Sequence, residues 1–321
     1  LSCSHSHAFA RIRQSTMQHP LSAVVCVMLF GVICRAFEIE RGFPTTCGNP
    51  AIKRKNKEKA KTKKVHAMPH TWIWHTGLWS ESMGSYPFCG GTLISRSLVL
   101  TAAHCVEKTL ECSDYLPKGV IDMTISNYSS LYVLVGAHDY TKADLSRQLR
   151  RVQYAVLHPE YIPIILLNGY DLAILKLQDD IIQDETVGPI CFPTKHAELQ
   201  VGASCFYAGW GGVFESWSKG KELYPKSLRE AEVQIASDKD CQQYYDEEFA
   251  DSNSCINTTG RNTGYGDSGG GIFYHSENDD QWFWYGAIES SAPKALCPFT
   301  IVNKFQAVQE WVKSTAMSLG L

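Results

Sequence analysis

Hydrophobic positions beyond residue 72 fall in short runs that are separated by glycine, proline, asparagine and serine. Examples are residues 91–94, 98–101, 131–135, 172–175 and 282–285. Apolar runs of this length, bounded by turn-forming residues, are typical of strands in a barrel or sandwich. Only the end of the chain has helical spacing, where Phe305, Val308, Trp311, Val312 and Thr315 share one face. The pattern predicts an all-β domain that ends in a helix.

The first 36 residues read as a leader rather than as part of the fold. Leu21 to Cys34 is an apolar stretch that falls short of the roughly 20 residues needed to span a bilayer and fits a signal-peptide core. Small residues, Cys34 and Ala36, flank the expected cut after Ala36. Met17 lies just ahead of the apolar run and is the expected initiator, which would leave residues 1–16 untranslated. A buried core helix is the alternative interpretation, and no membrane span is predicted.

Charge is distributed unevenly along the chain. The net charge is −3, but residues 1–64 carry 12 basic and 3 acidic side chains and the remainder carries 18 and 30. The excess is concentrated in residues 53–64 (KRKNKEKAKTKK), a run that cannot bury apolar surface. We therefore expect residues 37–64 to be a propeptide with an exposed, protease-sensitive linker, followed by the main domain over 65–321. Binding of nucleic acid or heparin by this run is the alternative, and the acidic main domain does not suggest a nucleic-acid partner.

Cysteine usage indicates an oxidising compartment. The chain has 12 cysteines, a high number for a cytosolic protein of 321 residues. Three belong to the leader, so nine remain from Cys47 onward. Asn127 and Asn257 begin glycosylation sequons, which also fits a secreted glycoprotein.

Three short motifs carry the candidate chemistry. His104 precedes Cys105 at the end of an apolar run, Asp171 heads a buried strand, and Ser268 lies in the glycine-rich turn GDSGG. A serine hydroxyl needs an adjacent base to attack at neutral pH, and a carboxylate can orient that base and stabilise its cation. The order His–Asp–Ser therefore predicts acyl transfer with Ser268 as nucleophile, His104 as base and Asp171 as orienting acid.

The glycines beside Ser268 fit the same chemistry. A developing oxyanion needs backbone N–H donors with no side chain in the way. We expect Gly266 and Ser268 to supply those two amides. No cofactor or metal ion is expected to take part.

These motifs resemble those of the chymotrypsin-like (trypsin-fold) serine peptidases over residues 66–313. The resemblance implies two six-stranded antiparallel β-barrels with the active site between them and a C-terminal helix. It also implies a secreted zymogen, with protein or peptide substrates and protease inhibitors as partners. Further matching landmarks are residues 88–94 (FCGGTLI), 189–193 (PICFP), 208–211 (AGWG) and 311–312 (WV).

The resemblance also implies three disulfides, namely Cys89–Cys105, Cys241–Cys255 and Cys47–Cys191. Cys112, Cys205 and Cys297 are left over. The expected partner position is Tyr274 for Cys205 and Gly264 for Cys297. Three leftover cysteines cannot all pair within one chain.

The specificity pocket departs from the family pattern. Asn262 falls at the pocket base where trypsin-like enzymes have Asp, and an amide cannot pair with Lys or Arg as a carboxylate does. Thr263 follows it, and Phe299 falls where a pocket-lining glycine is usual, so its ring is expected to fill the pocket. The substrate-binding strand, usually Ser-Trp-Gly, reads Glu-Ser-Ser and ends at Ser291. Glu289 would then lie beside Asp171, and two carboxylates so close together would raise the pKa of one of them. A shift of one residue would instead bring Ser290 to the position beside Asp171.

The activation segment departs as well. In the family, a cut frees an Ile or Val whose ammonium pairs with the Asp before the active serine, here Asp267. The usual Ile-Val-Gly-Gly is missing, and the only Lys–Val bond in the linker is Lys64–Val65. A cut there gives an N-terminus that is several residues too short. Three explanations stay open: the chain reaches Asp267 differently, residues are missing from the sequence here, or the enzyme stays a zymogen.

Two functions follow from these residues. The first is a secreted serine endopeptidase without trypsin-like specificity. The second is a catalytically silent homologue that acts as a binding or regulatory protein, favoured by Glu289, Phe299 and the missing activation motif.

Overall fold

The computed structural model describes residues 37–55, 57–110, 116–125, 128–163, 169–214, 222–245, 250–291 and 298–321. The expectations for the leader, Cys112, Asn127 and Cys297 lie outside these ranges. None of the helices in these ranges has the length and hydrophobicity that a bilayer crossing requires.

Two closed six-stranded antiparallel barrels form the body of the protein, as the resemblance implies. The first closes through the order β2-β3-β4-β8-β7-β6, with β5 added at the edge of β7. Its interior is apolar, and Leu78, Leu93, Leu98 and Ile174 have no exposed surface. The strands up to residue 177 are β1 (Val65–His66), β2 (His75–Trp79), β3 (Cys89–Leu93), β4 (Leu98–Thr101), β5 (Val120–Asp122), β6 (Tyr132–Val135), β7 (Gln148–Leu157) and β8 (Ala173–Leu177).

The second barrel closes through the order β9-β12-β13-β16-β15-β14, and β1 pairs with the outer side of β12. Strands β10 and β11 pair with each other, antiparallel, in a separate two-stranded sheet. A bulge interrupts the pairing of β15 with β16 between Ile288 and Ser290. The remaining strands are β9 (Ser204–Gly209), β10 (Val213–Phe214), β11 (Glu222–Leu223), β12 (Arg229–Ile235), β13 (Asn253–Asn257), β14 (Gly271–Ser276), β15 (Gln281–Ser291) and β16 (Phe299–Asn303).

Helices are few and short apart from the last. They are α1 (Lys57–Ala60), α2 (Ala103–Glu107), α3 (Asp238–Tyr245) and α4 (Phe305–Ser318), with a 3₁₀ turn over Glu81–Met83. The apolar face of α4 buries Phe305, Val308 and Val312. This confirms the C-terminal helix that the spacing predicts.

Residues 37–64, here called the strap, run along the second barrel rather than away from it. Cys47 is bonded to Cys191, and the Glu40 carboxylate pairs with Lys313 of α4 at 2.8 Å. Farther along, the Arg54 guanidinium pairs with the Glu230 carboxylate at 2.9 Å. The expectation of an exposed linker over 53–64 is therefore correct for most of its lysines, but it is wrong for Arg54, Ala60 and Lys64, whose side chains are buried. Long-range ion pairs accompany the burial of Arg54 and Lys64, and Ala60 lies on α1, which packs against β12. A charge run does not reveal such partners.

Candidate active site

His104 and Asp171 come from the first barrel and meet at the ends of two neighbouring strands. His104 lies on α2, directly after β4, and Asp171 precedes β8, which pairs with β4. The His104 Nδ1 atom is 2.5 Å from Asp171 Oδ2. The His104 backbone amide donates to Asp171 Oδ1 at 2.8 Å. One carboxylate thus fixes both the ring and the backbone of the histidine.

Ser268 lies in the turn that leads into β14 of the second barrel, and this turn contacts the first barrel directly. The amide of Gly90 on β3 donates to the Ser268 carbonyl at 2.8 Å. That carbonyl is also 3.8 Å from Cys105 Sγ, which lies 3.5 Å from His104 Nε2. The Ser268 backbone and the His104 ring therefore both lie within 4 Å of the same disulfide sulfur.

Two amides in the same turn are available to an oxyanion. In the described part of the chain, the amides of Gly266 and Ser268 donate to no backbone carbonyl, whereas those of Asp267, Gly269 and Gly270 do. Gly266 has φ of 95°, a conformation that residues with a side chain rarely adopt. The two amides of this turn that lack a backbone acceptor among the described residues are thus those of Gly266 and Ser268, and their role at an oxyanion stays a prediction.

The Asp267 carboxylate organises this turn from inside the second barrel. Oδ1 accepts from the Gly211 amide at 3.0 Å, and Oδ2 accepts from the Gly264 amide at 2.8 Å. The space around it is tight, because a Cβ atom at Gly209 or Gly211 would clash with the carboxylate. Glycine at both positions lets the loop of residues 208–211 approach the acid.

A lysine side chain supplies the charge that Asp267 needs. The Lys64 Nζ atom lies 2.6 Å from Asp267 Oδ2, and the two side chains are 4% and 0% exposed. The structure therefore brings Lys64 to Asp267 through its ammonium and leaves its chain continuous with Val65. Both residues are buried, and Val65 pairs with Glu230 in β1.

The predicted pocket residues lie on two neighbouring segments of the second barrel. The carbonyl of Asn262 accepts a hydrogen bond from the Tyr207 hydroxyl at 3.1 Å. The Thr263 hydroxyl is 3.0 Å from the Thr300 hydroxyl. Ser291 pairs with Thr300 across β15 and β16, and its side chain lies outside the described atoms.

Phe299 and Thr300 point to opposite faces of β16, as adjacent residues of a strand do. Because Thr300 is the residue that meets Thr263, the Phe299 ring faces away from this side. It packs against the cluster around Cys241 and Cys255, and its centroid is 5.9 Å from that of Tyr244. The structure thus places Thr300 beside Thr263, where the sequence pattern had assigned Phe299.

Glu289 lies against Asp171, on the bulge of β15. Its carboxyl group is 2% exposed and accepts a hydrogen bond from the Asn303 side chain. Burial, followed by the charge of Asp171, raises the pKa of Glu289 well above its ordinary value of 4.5. A raised pKa favours the neutral form of Glu289, which lessens the repulsion between the two neighbouring carboxyl groups.

The three disulfides implied by the resemblance are present: Cys47–Cys191, Cys89–Cys105 and Cys241–Cys255. Cys205 is a buried free thiol in β9. Cys89, His104 and Cys105 bring potential ligand atoms within 4.8 Å of one another. Metal binding by cysteine requires a thiolate, and both of these sulfurs are in a disulfide.

Sequence reasoning missed two contributors to this site. One is the Lys64 ammonium, because the prediction at that position concerned only a new N-terminus. The other is Thr300, which lies one residue from the expected position. Asn303 on the same strand also contacts the site through Glu289. The alternation of a strand assigns Thr300 and Phe299 to opposite faces, but only the register chooses the face.

Comparison with known proteins gives a consistent result. The family model described as Trypsin matches residues 62–312. Mannan-binding lectin serine protease 1 of Homo sapiens is 28% identical over 256 residues, which cover 77% of this chain but 34% of that protein. Cathepsin G of Mus musculus is 27% identical over 250 residues, covering 78% and 82%. The structure of neuropsin, a serine protease expressed in the limbic system of mouse brain, superposes with a TM-score of 0.62 at 24% identity, covering 79% of this chain and 98% of that one.

Proposed function

Because this chain belongs to the trypsin family of serine proteases, we propose that it is a secreted serine endopeptidase that works through an acyl-enzyme. The observation that supports this most directly is the His104–Asp171 pair beside the Ser268 turn. The pair belongs to the first barrel and the Ser268 turn to the second, as expected of a site built in the cleft between them. The activity, substrates and partners of the long relatives do not transfer as a whole, since this chain spans about a third of their length.

The reaction follows from the roles of the groups. Ser268 Oγ attacks the scissile carbonyl carbon while His104 Nε2 accepts the hydroxyl proton. The amides of Gly266 and Ser268 stabilise the oxyanion of the tetrahedral intermediate. Its collapse breaks the C–N bond, and His104 returns the proton to the leaving amine. Water then hydrolyses the ester by the same route, which restores Ser268.

The raised pKa of Glu289 is compatible with this proposal. An ionised carboxylate behind Asp171 would oppose the ionised state that Asp171 needs to hold an imidazolium. The raised pKa of Glu289 favours its neutral form, which reduces that opposition.

We propose a preference for an uncharged side chain before the scissile bond. Asn262 carries no charge, and the Thr263 and Thr300 hydroxyls beside it are neutral as well. A peptide library varied at this position measures the preference. Preferred cleavage after Lys or Arg would contradict it.

The test of the activity is covalent labelling by a fluorophosphonate, which reports an activated serine. Wild-type protein should be labelled, and Ser268→Ala should not. Ser314→Ala is the matched control, because that serine is exposed on α4, away from the proposed site, and should leave labelling unchanged. Absence of label from every processed form of the wild type would favour the alternative, a catalytically silent homologue that binds or regulates other proteins.

Secretion is part of the same proposal. Three disulfides are stable in an oxidising compartment rather than in the cytosol. The test is recovery of the disulfide-bonded protein from the culture medium of expressing eukaryotic cells. A glycosidase-sensitive mass at Asn257, a half-buried residue of β13, tests the proposed glycosylation.

A further inference from the structure

The contact between Lys64 and Asp267 has features that a surface ion pair lacks. Both side chains are almost fully buried, and the two atoms are 2.6 Å apart. The same ammonium donates to the Gly211 carbonyl at 3.1 Å and lies 5.5 Å from the centre of the Tyr207 ring. A buried charge is tolerated only when it is paired and hydrogen-bonded, and here each charge satisfies the other.

Asp267 connects this pair to the candidate reaction centre. Its carboxylate holds the amides of Gly211 and Gly264, and its own backbone is part of the turn that carries Gly266 and Ser268. The Asp267 carbonyl also accepts from the Gly270 amide at 3.0 Å. The direction of the two free amides therefore depends on where the Asp267 side chain is held.

A histidine near this pair does not compete with Lys64 for the acid. The ring of His75 is fully buried, and its two nitrogens have no hydrogen-bond partner among the described residues. Burial, followed by the charge of Lys64, lowers the pKa of His75 to about 3. His75 is thus neutral at pH 7, and the cation at Asp267 is the lysine.

The chain delivers Lys64 to this position without being cut. Residues 65 and 66 continue directly into β1, which pairs with β12, and Arg54 is fixed to Glu230 of the same strand β12. The intervening α1 is held by the buried Ala60. The segment before Lys64 is thus attached to the second barrel at both ends.

We propose that Lys64 is a positioning residue for the proposed protease reaction, because its side-chain ammonium holds Asp267 and with it the Gly266 and Ser268 amides in the uncleaved chain. The inference rests on the proposed function. It goes further by making a free α-amino group unnecessary at Asp267. It also accounts for the missing Ile-Val-Gly-Gly motif, since a side chain performs the task that the motif's new N-terminus performs in the family.

Loss of the ammonium should act on the oxyanion donors. An unpaired Asp267 carboxylate in this interior would turn toward other donors or toward water. That movement would displace the neighbouring amides, and removal of a single oxyanion donor typically lowers turnover by about 10²- to 10³-fold. We therefore expect a loss of at least about 100-fold in the acylation rate.

The experiment compares Lys64→Met, Lys64→Arg and Lys63→Met in the full chain as secreted. Met keeps the length and apolar stem of Lys64 without the charge, and Arg keeps a charge. Lys63 is the adjacent exposed lysine and provides the matched control. Fluorophosphonate labelling is read on a reducing gel, because a cut between residues 53 and 65 separates the strap from the labelled chain once Cys47–Cys191 is reduced. Turnover of a peptide ester gives kcat and KM, and thermal unfolding shows that each variant is folded.

The expected result is label on the uncut wild-type band and on Lys63→Met. Lys64→Met should be labelled at least about 100-fold more slowly than the wild type, and its loss in ester turnover should lie mainly in kcat. Lys64→Arg should be labelled at least about tenfold faster than Lys64→Met. Uncut Lys64→Met labelled within threefold of Lys63→Met would overturn the inference. Labelling of the wild type only in the cut band would also overturn the Lys64 inference, and this outcome can be read even if Lys64→Met does not fold. It would leave the protease proposal intact. Label in no band of any form would refute the protease proposal itself.

Discussion

The ion pair that anchors the strap should contribute strongly to stability. The Arg54 and Glu230 side chains are 6% and 1% exposed, and their charged atoms are 2.9 Å apart. The Arg54 guanidinium also lies 4.2 Å from the centre of the Phe206 ring. The Trp72 indole donates to the other Glu230 oxygen at 2.8 Å. Arg54→Met keeps the apolar stem but leaves the Glu230 carboxylate with the Trp72 indole as its one remaining side-chain partner among the described residues.

The expected cost follows from that geometry. Breaking a buried ion pair by removing one partner costs about 3–5 kcal/mol, since the remaining charge is left uncompensated. The indole of Trp72 still satisfies part of the carboxylate, so the lower half of that range is expected. For a domain of this size, a loss of about 3–4 kcal/mol lowers the unfolding midpoint by roughly 6–16 °C.

Thermal and urea unfolding followed by tryptophan fluorescence measure this loss. Lys53→Met is the control, because the neighbouring pair Lys53–Asp280 has side chains that are 59% and 69% exposed and should contribute little. Arg54→Met/Glu230→Gln should recover part of the loss, because it leaves no unpaired charge. Equal midpoints for Arg54→Met and Lys53→Met would show that the strap is not held by this pair.

Two further predictions concern pH. The raised pKa of Glu289 contributes stability that is fully present below about pH 4.5, the ordinary pKa of this group. The contribution is lost as pH rises toward the pKa of Glu289 in the folded protein. Glu289→Gln should therefore unfold like the wild type at pH 4 and at a higher midpoint at pH 7; a constant difference between the two curves would contradict this. The pKa of His75, lowered to about 3, gives stability that is present above about 6.5 and lost as pH falls. The shift corresponds to roughly 5 kcal/mol. In the wild type, the urea unfolding midpoint should therefore fall as pH is lowered from 6.5 to 3, and His75→Phe should reduce that fall. The same fall in both proteins would argue against a buried neutral imidazole.

The fold and the pairing of His104 with Asp171 were predictable because the sequence signals for them are local. Apolar runs bounded by turn residues mark the strands, and the residues around His104, Asp171 and Ser268 are specific as a set. The three disulfides followed from the same family resemblance. Each of these features depends on residue type at a fixed position in the chain.

The remaining features depend on distant partners or on register. Lys64 is one of eight basic residues between positions 53 and 64, and nothing local separates it from Lys63. Its burial is decided by Asp267, which lies 203 residues later in the chain. Similarly, the choice between Phe299 and Thr300 depends on pairing across β15 and β16, where a bulge shifts the register. A lysine-rich composition predicts that the whole run is exposed to solvent. This is correct for most of its lysines and wrong for Lys64.

The position of Lys64 at the end of the basic run reconciles two expectations that otherwise conflict. The exposed lysines of the strap, Lys57 to Lys63, are open to proteases, and a cut after any of them leaves Lys64 joined to β1. The ammonium then stays with the catalytic chain, so its hold on Asp267 does not depend on whether the linker has been processed. Only a cut of the buried Lys64–Val65 bond would transfer the lysine to the strap, which Cys47–Cys191 retains. Processing of the exposed linker and charge compensation at Asp267 are therefore separate events in this protein, whereas a new N-terminus would make them one.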